Sequence, residues 1–274
     1  MNLRLQLQKK SVKDQTHDYL IKPVSKDSLL KSAKYALQQK KLKDEKLELE
    51  LANKQYRDNL ERLVEKRTEA LQEAVNGTIS TIAKILEKKD PYTAGHEKKV
   101  ANLAYSIAEE MNLTEQQKDC IYYSGFLHDI GKLLAPAEIL SKPGKITDNE
   151  FQLIKDHVMS GYELVKNIKL PWVISDVILQ HHERINGSGY PMGLNGNEMM
   201  IEAKILAVAD VVEAMASHRP YRAAFDMKLV LDELKNNSGI LYDTAVVKAT
   251  VDLFEISRYD FSMEHKEIKI KILD

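Results

Sequence analysis

Apolar side chains recur along this chain at helical rather than strand spacing. The clearest stripes are Ile79, Ile82, Ile85 and Leu86; Val100, Leu103, Ala104 and Ile107; Val173, Ile174, Val177 and Ile178; Ile205, Val208, Val211 and Val212; and Val246, Val247, Thr250, Val251 and Phe254. Each repeats every three or four residues, as one face of an α-helix does. Thr114 ahead of Glu-Gln-Gln and Thr147 three residues ahead of Glu150 have the form of capping boxes at helix starts. Alternation of the kind a strand needs is scarce; residues 264–274, "EHKEIKIKILD", predict a minor edge strand at the C-terminus. The expected fold is all-α, a bundle of five to eight packed helices over 78–258, followed by a tail at 259–274.

Ahead of the bundle the pattern changes. Residues 35–75 are rich in Lys, Glu, Gln and Leu and contain neither Gly nor Pro. Leu42, Leu49, Tyr56, Leu63 and Ala70 recur every seven residues, with Leu60, Val64, Leu71 and Ala74 widening the stripe. That repeat predicts a long helix over 35–77 and a parallel coiled-coil homodimer through 35–75, although Asn53 and Arg67 weaken the alternate seam. Asn76-Gly77 is the expected point of interruption. Residues 1–34 are too few to bury a core alone. Their stretch "DYLIKPVSKDSLLKSAKYAL" resembles the last strand, Lys-Pro pair and final helix of a response-regulator receiver domain, so 1–34 reads as the remnant of one.

Charge narrows the partners. Forty basic and 41 acidic side chains leave a net charge of -1, which argues against a nucleic-acid or anionic-membrane binder and leaves any anionic ligand to be met by local charge. One cysteine, Cys120, excludes an intrachain disulfide and a thiolate-rich zinc site, and is expected to pack as a small apolar residue. No apolar run approaches the roughly 18 residues of a membrane span, and the N-terminus lacks the features of a signal peptide. A cytoplasmic protein is expected.

The candidate chemistry lies in the histidines. His96, His128, Asp129, His157, His181, His182 and Asp210 each sit at or beside an apolar helical stripe, where a buried charge is costly unless paired or metal-bound. Together they are seven nitrogen and oxygen ligands with no sulfur, a set suited to Mn, Fe, Zn or Ni. Lys132 follows His128 by four residues and Asp129 by three, which places it on their face as a point charge for phosphate. Adjacent His181 and His182 read as two ligands for one ion. Glu213, three residues after Asp210, shares its face and could orient a ligand. Arg219 and Arg222 carry planar forks suited to an anionic group and are candidates for ligand binding. The stretch 185–196 holds four glycines in twelve residues and frames Tyr190, which either contacts a ligand or packs against the loop.

The stretches "DPYTAGHEKKVANLA", "LHDIGKLLAP", "HHERINGSGYPMGLNG" and "AKILAVADVVEAMASHRPYR" resemble the HD-GYP family of the HD metal-dependent phosphohydrolases. His128-Asp129 is then the namesake pair and Gly189-Tyr190-Pro191 the signature loop. The resemblance implies one ion on His96, His128, Asp129 and Asp210, and a second on Asp129, His157, His181 and His182, the metals being iron or manganese. It implies hydrolysis of cyclic di-GMP to linear pGpG, and slowly on to GMP, through a bridging hydroxide, with Asp129 and Lys132 as catalytic residues. Lys132, Arg219, Arg222 and Tyr190 would contact substrate, and the loop would meet a domain that makes cyclic di-GMP. Three-metal members carry a glutamate four residues before the first ligand histidine; Tyr92 stands there in this chain, which argues for two ions. Asn186 replaces the usual loop aspartate and is expected to cap the turn, and Met200 replaces a common proline. Other readings stay open at this point: a phosphohydrolase for another cyclic dinucleotide or nucleotide, a non-catalytic cyclic di-GMP sensor, or a dimeric module that relays a receiver signal.

Overall fold

The computed structural model describes residues 23–90, 95–142, 144–218 and 223–261, and by contacts the chain divides into units 1–69 and 70–274. The first helix, α1 (Lys26–Lys89), runs without a break. Asn76-Gly77 does not interrupt it, contrary to the sequence expectation. Asn76 Oδ1 accepts a hydrogen bond from Tyr123 Oη at 2.9 Å, and Thr81 Oγ1 donates to the Gly77 carbonyl at 2.7 Å. The turn prone to break is therefore tied down by its neighbours. The helix also begins at Lys26, inside the stretch assigned to a receiver remnant.

The second unit is all-helical. After α1 come α2 (His96–Glu110), α3 (Glu115–Leu127), a 3-10 turn (Ile130–Leu134), α4 (Ala137–Leu140), α5 (Asp148–Lys155), α6 (His157–Val165), α7 (Ile174–Gln180), α8 (Ile201–Ala216), α9 (Met227–Asn236) and α10 (Thr244–Glu255). Thr114 and Thr147 form the two capping boxes, with Gln117 and Glu150 returning the bond. The described residues hold only isolated bridges, Asn186 with Asn195 and Ser238 with Tyr242, and no strand; the tail predicted to be a strand lies outside the described residues.

Helix α8 is the axis of the unit. Ala203, Ile205, Leu206, Val208, Ala209 and Val212 are all buried, so the helix is apolar nearly all round and must be enclosed. It packs against α2, α3, α7, α9 and α10. The stripe Val100, Leu103, Ala104 and Ile107 of α2 is fully buried in the same core, as is Cys120 of α3. Burial pushes the Cys120 thiol up to about 12. The end of α1 joins this core through Val75, Ile79, Ile82, Ala83 and Leu86. Asp210 interrupts the apolar surface of α8, and the other candidate ligands gather around it from helix ends.

Candidate metal centre

Three of the histidines are aimed by one device. The last carbonyls of a helix have no partner within it. His128 Nδ1 donates to the Gly125 carbonyl at 2.8 Å, His157 Nδ1 to Ile154 at 2.6 Å and His181 Nδ1 to Ile178 at 2.6 Å. Those carbonyls lie in the last turns of α3, α5 and α7. Each imidazole thus spends its Nδ1 proton on the backbone three residues earlier and turns a bare Nε2 inward. Three helix C-termini also direct the negative ends of their dipoles at the same place.

The inward nitrogens have no protein hydrogen to accept. His157 Nε2 and His181 Nε2 face each other at 3.4 Å, both as acceptors. His128 Nε2 is fully buried and without a hydrogen-bond partner. Burial, aided by the neighbouring imidazoles, drives His181 well below the usual histidine range. Burial also lowers His157, and holds His182 down to about 3. Neutral, converging lone pairs fit a divalent cation, which is what this donor set offers.

The ligand atoms fall into two clusters. His157, His181 and His182 form one, and His96, His128 and Asp129 the other, each with ligand atoms within 4.8 Å of one another. Asp129 faces both: Oδ1 lies 3.3 Å from His157 Nε2, and Oδ2 lies 3.4 Å from His128 Nε2. Asp210 Oδ1 lies 3.3 Å from His96 Nε2 and 4.0 Å from His128 Nε2. The structure therefore brings together all seven residues singled out in the sequence, in two groups that meet at Asp129. The pair His181-His182 falls within one group.

Glu213 lies behind His96. It is buried, accepts from His96 Nδ1, and takes a 2.5 Å bond from Ser217 Oγ, with Lys99 Nζ 3.5 Å away. Burial opposes a charge on His96, but the hydrogen bonds to Asp210 and Glu213 outweigh it and raise the imidazole to about 10. Lys132 is half-buried, with Nζ 2.5 Å from Asp129 Oδ2 and 4.0 Å from Asp90 Oδ2. His128 caps α3 and Asp129 precedes a 3-10 turn, so Lys132 reaches the site across that tighter turn rather than along one continuous α-helix.

Tyr190 packs within the protein. Its ring stacks on His182 with centroids 4.8 Å apart. Asn186 Oδ1 accepts from Ser188 N at 3.1 Å and Ser188 Oγ at 2.7 Å, the turn cap expected of it. Arg219, Arg222 and Tyr92 lie outside the described residues.

Two buried acids escaped the sequence reading. Glu183 follows the histidine pair directly and is fully buried. Its carboxylate accepts from the backbone N–H of Met192 at 2.7 Å, Gly193 at 3.1 Å and Leu194 at 3.0 Å. The glycine-rich loop is folded around that one side chain. Gly189 fits because a Cβ there would fall 2.3 Å from Glu183 Cα. An acid inside a loop of small residues was the available signal. Glu97, beside His96, is fully buried with both carboxylate oxygens unpartnered, and burial pushes it up to about 7. Its sequence position, in the polar first turn of a helix, gives no hint of this.

A model of the HD domain family matches residues 80–246. Among curated proteins, the chain is 34% identical to the cyclic di-GMP phosphodiesterase response regulator RpfG of Xanthomonas campestris pv. campestris, over 85% of this chain and 60% of that one. It is 33% identical to a cyclic di-GMP phosphodiesterase of Thermotoga maritima, over 89% and 67%. It is 35% identical to the 3'3'-cGAMP-specific phosphodiesterase 1 of Vibrio cholerae, over 57% and 36%. The chain thus spans between about a third and two thirds of the lengths of these relatives. Among solved structures, Bd1817, an HDG"Y"P protein from Bdellovibrio bacteriovorus, superposes with a TM-score of 0.50 at 20% identity, over 58% of this chain and 51% of that one, a likeness of fold.

Proposed function

This chain belongs to the HD-domain family, and we propose that its domain at 78–258 is a metal-dependent phosphodiesterase that opens a cyclic dinucleotide, cyclic di-GMP first among them, to linear pGpG. The observation that carries the reading is the shared carboxylate. Asp129 presents one oxygen to His128 Nε2 and the other to His157 Nε2, and so stands between the two clusters. A single structural histidine would be satisfied by its surroundings; His128, His157 and His181 are satisfied only on the backbone side.

We assign one divalent ion, iron or manganese, to His96, His128, Asp129 and Asp210, and a second to Asp129, His157, His181 and His182. When bound, such a pair polarises the phosphodiester and lowers the pKa of an attacking water. The chain's own residues do the rest. Glu213 fixes the ring of His96. Tyr190 and the loop pinned by Glu183 fix the ring of His182. Lys132 stands beside Asp129 with a charge that can follow a phosphoryl oxygen as negative charge grows on it. Arg219 and Arg222 stay candidates for the substrate. The loop motif Gly189-Tyr190-Pro191 and the relatives' named activities support placement in the HD-GYP branch. The relative specific for 3'3'-cGAMP makes that hybrid nucleotide the second substrate to try.

The test is direct. The protein is reconstituted anaerobically with Fe(II) or with Mn(II) and incubated with cyclic di-GMP and, separately, 3'3'-cGAMP. Anion-exchange chromatography should show a linear dinucleotide from cyclic di-GMP. Binding of cyclic di-GMP without cleavage under either metal would convert the reading to a sensor. Cleavage of cGAMP alone would change the substrate and keep the reaction.

A further inference from the structure

Among the described residues, three cations near the histidine clusters are occupied. Lys132 is paired with Asp129, Lys99 lies beside Glu213, and Arg184 donates to the Glu183 carbonyl at 2.8 Å. Lys155 is held in another way. Its Nζ lies 5.0 Å from the centroid of Phe151 and 4.9 Å from that of Tyr190. It forms no ion pair among the described residues.

Its position is set from two sides. Lys155 ends α5, two residues before His157. It also rests on the ring that stacks on His182. It therefore stands at the edge of the His157, His181 and His182 cluster, one aromatic ring away from the imidazole of His182. Aromatic faces steady an ammonium through their quadrupole, yet carry no formal negative charge that an incoming phosphate would have to displace. A half-buried lysine held by π-faces is a cation kept in place and left uncompensated.

A cyclic dinucleotide carries two phosphates on one ring. When one lies at the clusters for cleavage, the other stays an anion to be met nearby. We propose that Lys155, presented by Phe151 and Tyr190, binds this second, non-scissile phosphate. The proposal rests on the cyclic-dinucleotide reading above. It gives Tyr190 a double task, since one ring supports both the His182 imidazole and the lysine. It also makes Lys155 a specificity-determining residue, because a diester with a single phosphate has nothing for it to hold.

The experiment compares wild type with Lys155→Met and Lys155→Arg, each loaded with Mn(II). Methionine keeps an apolar stem over the two rings and removes the charge. Hydrolysis of cyclic di-GMP is measured beside that of bis(p-nitrophenyl) phosphate. Binding of the cleavage-resistant bisphosphorothioate analogue of cyclic di-GMP is measured by calorimetry. For K155M, KM for cyclic di-GMP should rise about tenfold with kcat little changed, the size of one charge-assisted contact. The ratio of kcat/KM for the dinucleotide to that for the single diester should fall by a similar factor. The analogue's Kd should weaken in parallel, and K155R should recover most of each loss. An unchanged KM, or an equal drop on both substrates, overturns the proposal while leaving the phosphodiesterase reading intact. A wild-type protein that neither cleaves nor binds the dinucleotide overturns both.

Discussion

Asp129 faces two ways, and much of the chemistry follows from that. Its oxygens lie 3.3 Å from His157 Nε2 and 3.4 Å from His128 Nε2, so removing them strips a ligand from both clusters at once. Asp129→Ala should lose both ions by metal analysis of protein purified without chelator, and should lose turnover with them. Two ions retained at wild-type stoichiometry would show that the carboxylate is not shared. Lys132 makes the complementary case. Its charge is a partner of Asp129, whose carboxyl is held well below the usual range: burial opposes ionisation, and Lys132 and the surrounding imidazoles outweigh it. Lys132→Ala should therefore leave metal content intact and slow turnover about 100-fold, the size of one well-placed electrostatic contact in a transition state; loss of metal instead would make it a structural counter-charge. Glu183 carries a different load. Its carboxylate satisfies three backbone donors at 2.7, 3.1 and 3.0 Å inside the loop, and a buried donor left without an acceptor costs about 1–3 kcal/mol. Water entering the gap would offset part of that. Glu183→Ala should cost about 3 kcal/mol in urea unfolding. It should also weaken metal binding at the His157, His181 and His182 cluster more than at the other, because Tyr190 stacks on His182 from this loop. Equal weakening of both clusters would mean the loop acts only on global stability.

At the scale of elements, the site is a meeting of helix ends, and one close approach holds it. Gly131 is the second residue of the 3-10 turn that follows Asp129, and that turn packs against α6. A Cβ at Gly131 would lie 1.9 Å from the His157 carbonyl oxygen and 2.6 Å from Gly161 N. Both are backbone atoms, so a helix rather than a side chain must move. Gly131→Ala should cost about 3 kcal/mol as an overpacked contact. It should also widen the gap between Asp129 and His157, so that metal analysis shows a deficit. A variant of wild-type stability with full metal would mean that the turn and α6 can separate at no cost. This geometry also explains what the sequence made legible. Apolar spacing located α2, α7, α8 and α10, and Thr114 and Thr147 marked two helix starts, because those signals are local. All seven candidate ligands were legible because a histidine or aspartate beside an apolar stripe is conspicuous. Gly131 was not, since its neighbour His157 is remote in sequence. Glu183 was passed over because its three partners are backbone groups, which no side-chain pattern reports. No sequence pattern marks Lys155, because Tyr190, the ring it rests on, is remote in the chain. Asn76-Gly77 was misjudged for the same reason: intrinsic preference favours a break there, and Tyr123, distant in the chain, holds the turn closed.

At the scale of the whole molecule, the open question is what covers the first part of α1. Leu42, Leu49, Tyr56 and Leu63 are between 47% and 70% exposed, and they repeat every seven residues on a helix that is continuous from Lys26 to Lys89. Exposed i,i+4 pairs such as Lys41 with Glu45, Lys46 with Glu50 and Arg57 with Glu61 support the helix, but each contributes only about 0.3–0.5 kcal/mol. Such pairs do not compensate for a row of large apolar side chains left in water. The seven-residue period selects the occupant. A strict heptad keeps its stripe facing a second helix only when the two supercoil, and an identical helix in register supplies a matching stripe. Asn53 and Arg67 on the alternate seam fit that choice, since a polar seam residue fixes register and a small number of strands at some cost in stability. We therefore expect a parallel homodimer through 35–75. Sedimentation equilibrium should give twice the 31.3 kDa chain mass. The triple variant Leu49→Glu, Tyr56→Glu, Leu63→Glu should sediment as a monomer, because like charges would then oppose each other at three successive heptads of the seam. The bundle core begins beyond these positions, with Gln72 the first buried residue of α1, so the variant's cooperative unfolding should persist. A wild-type monomer at tens of micromolar would remove the second copy as the occupant and leave the stripe to a different partner.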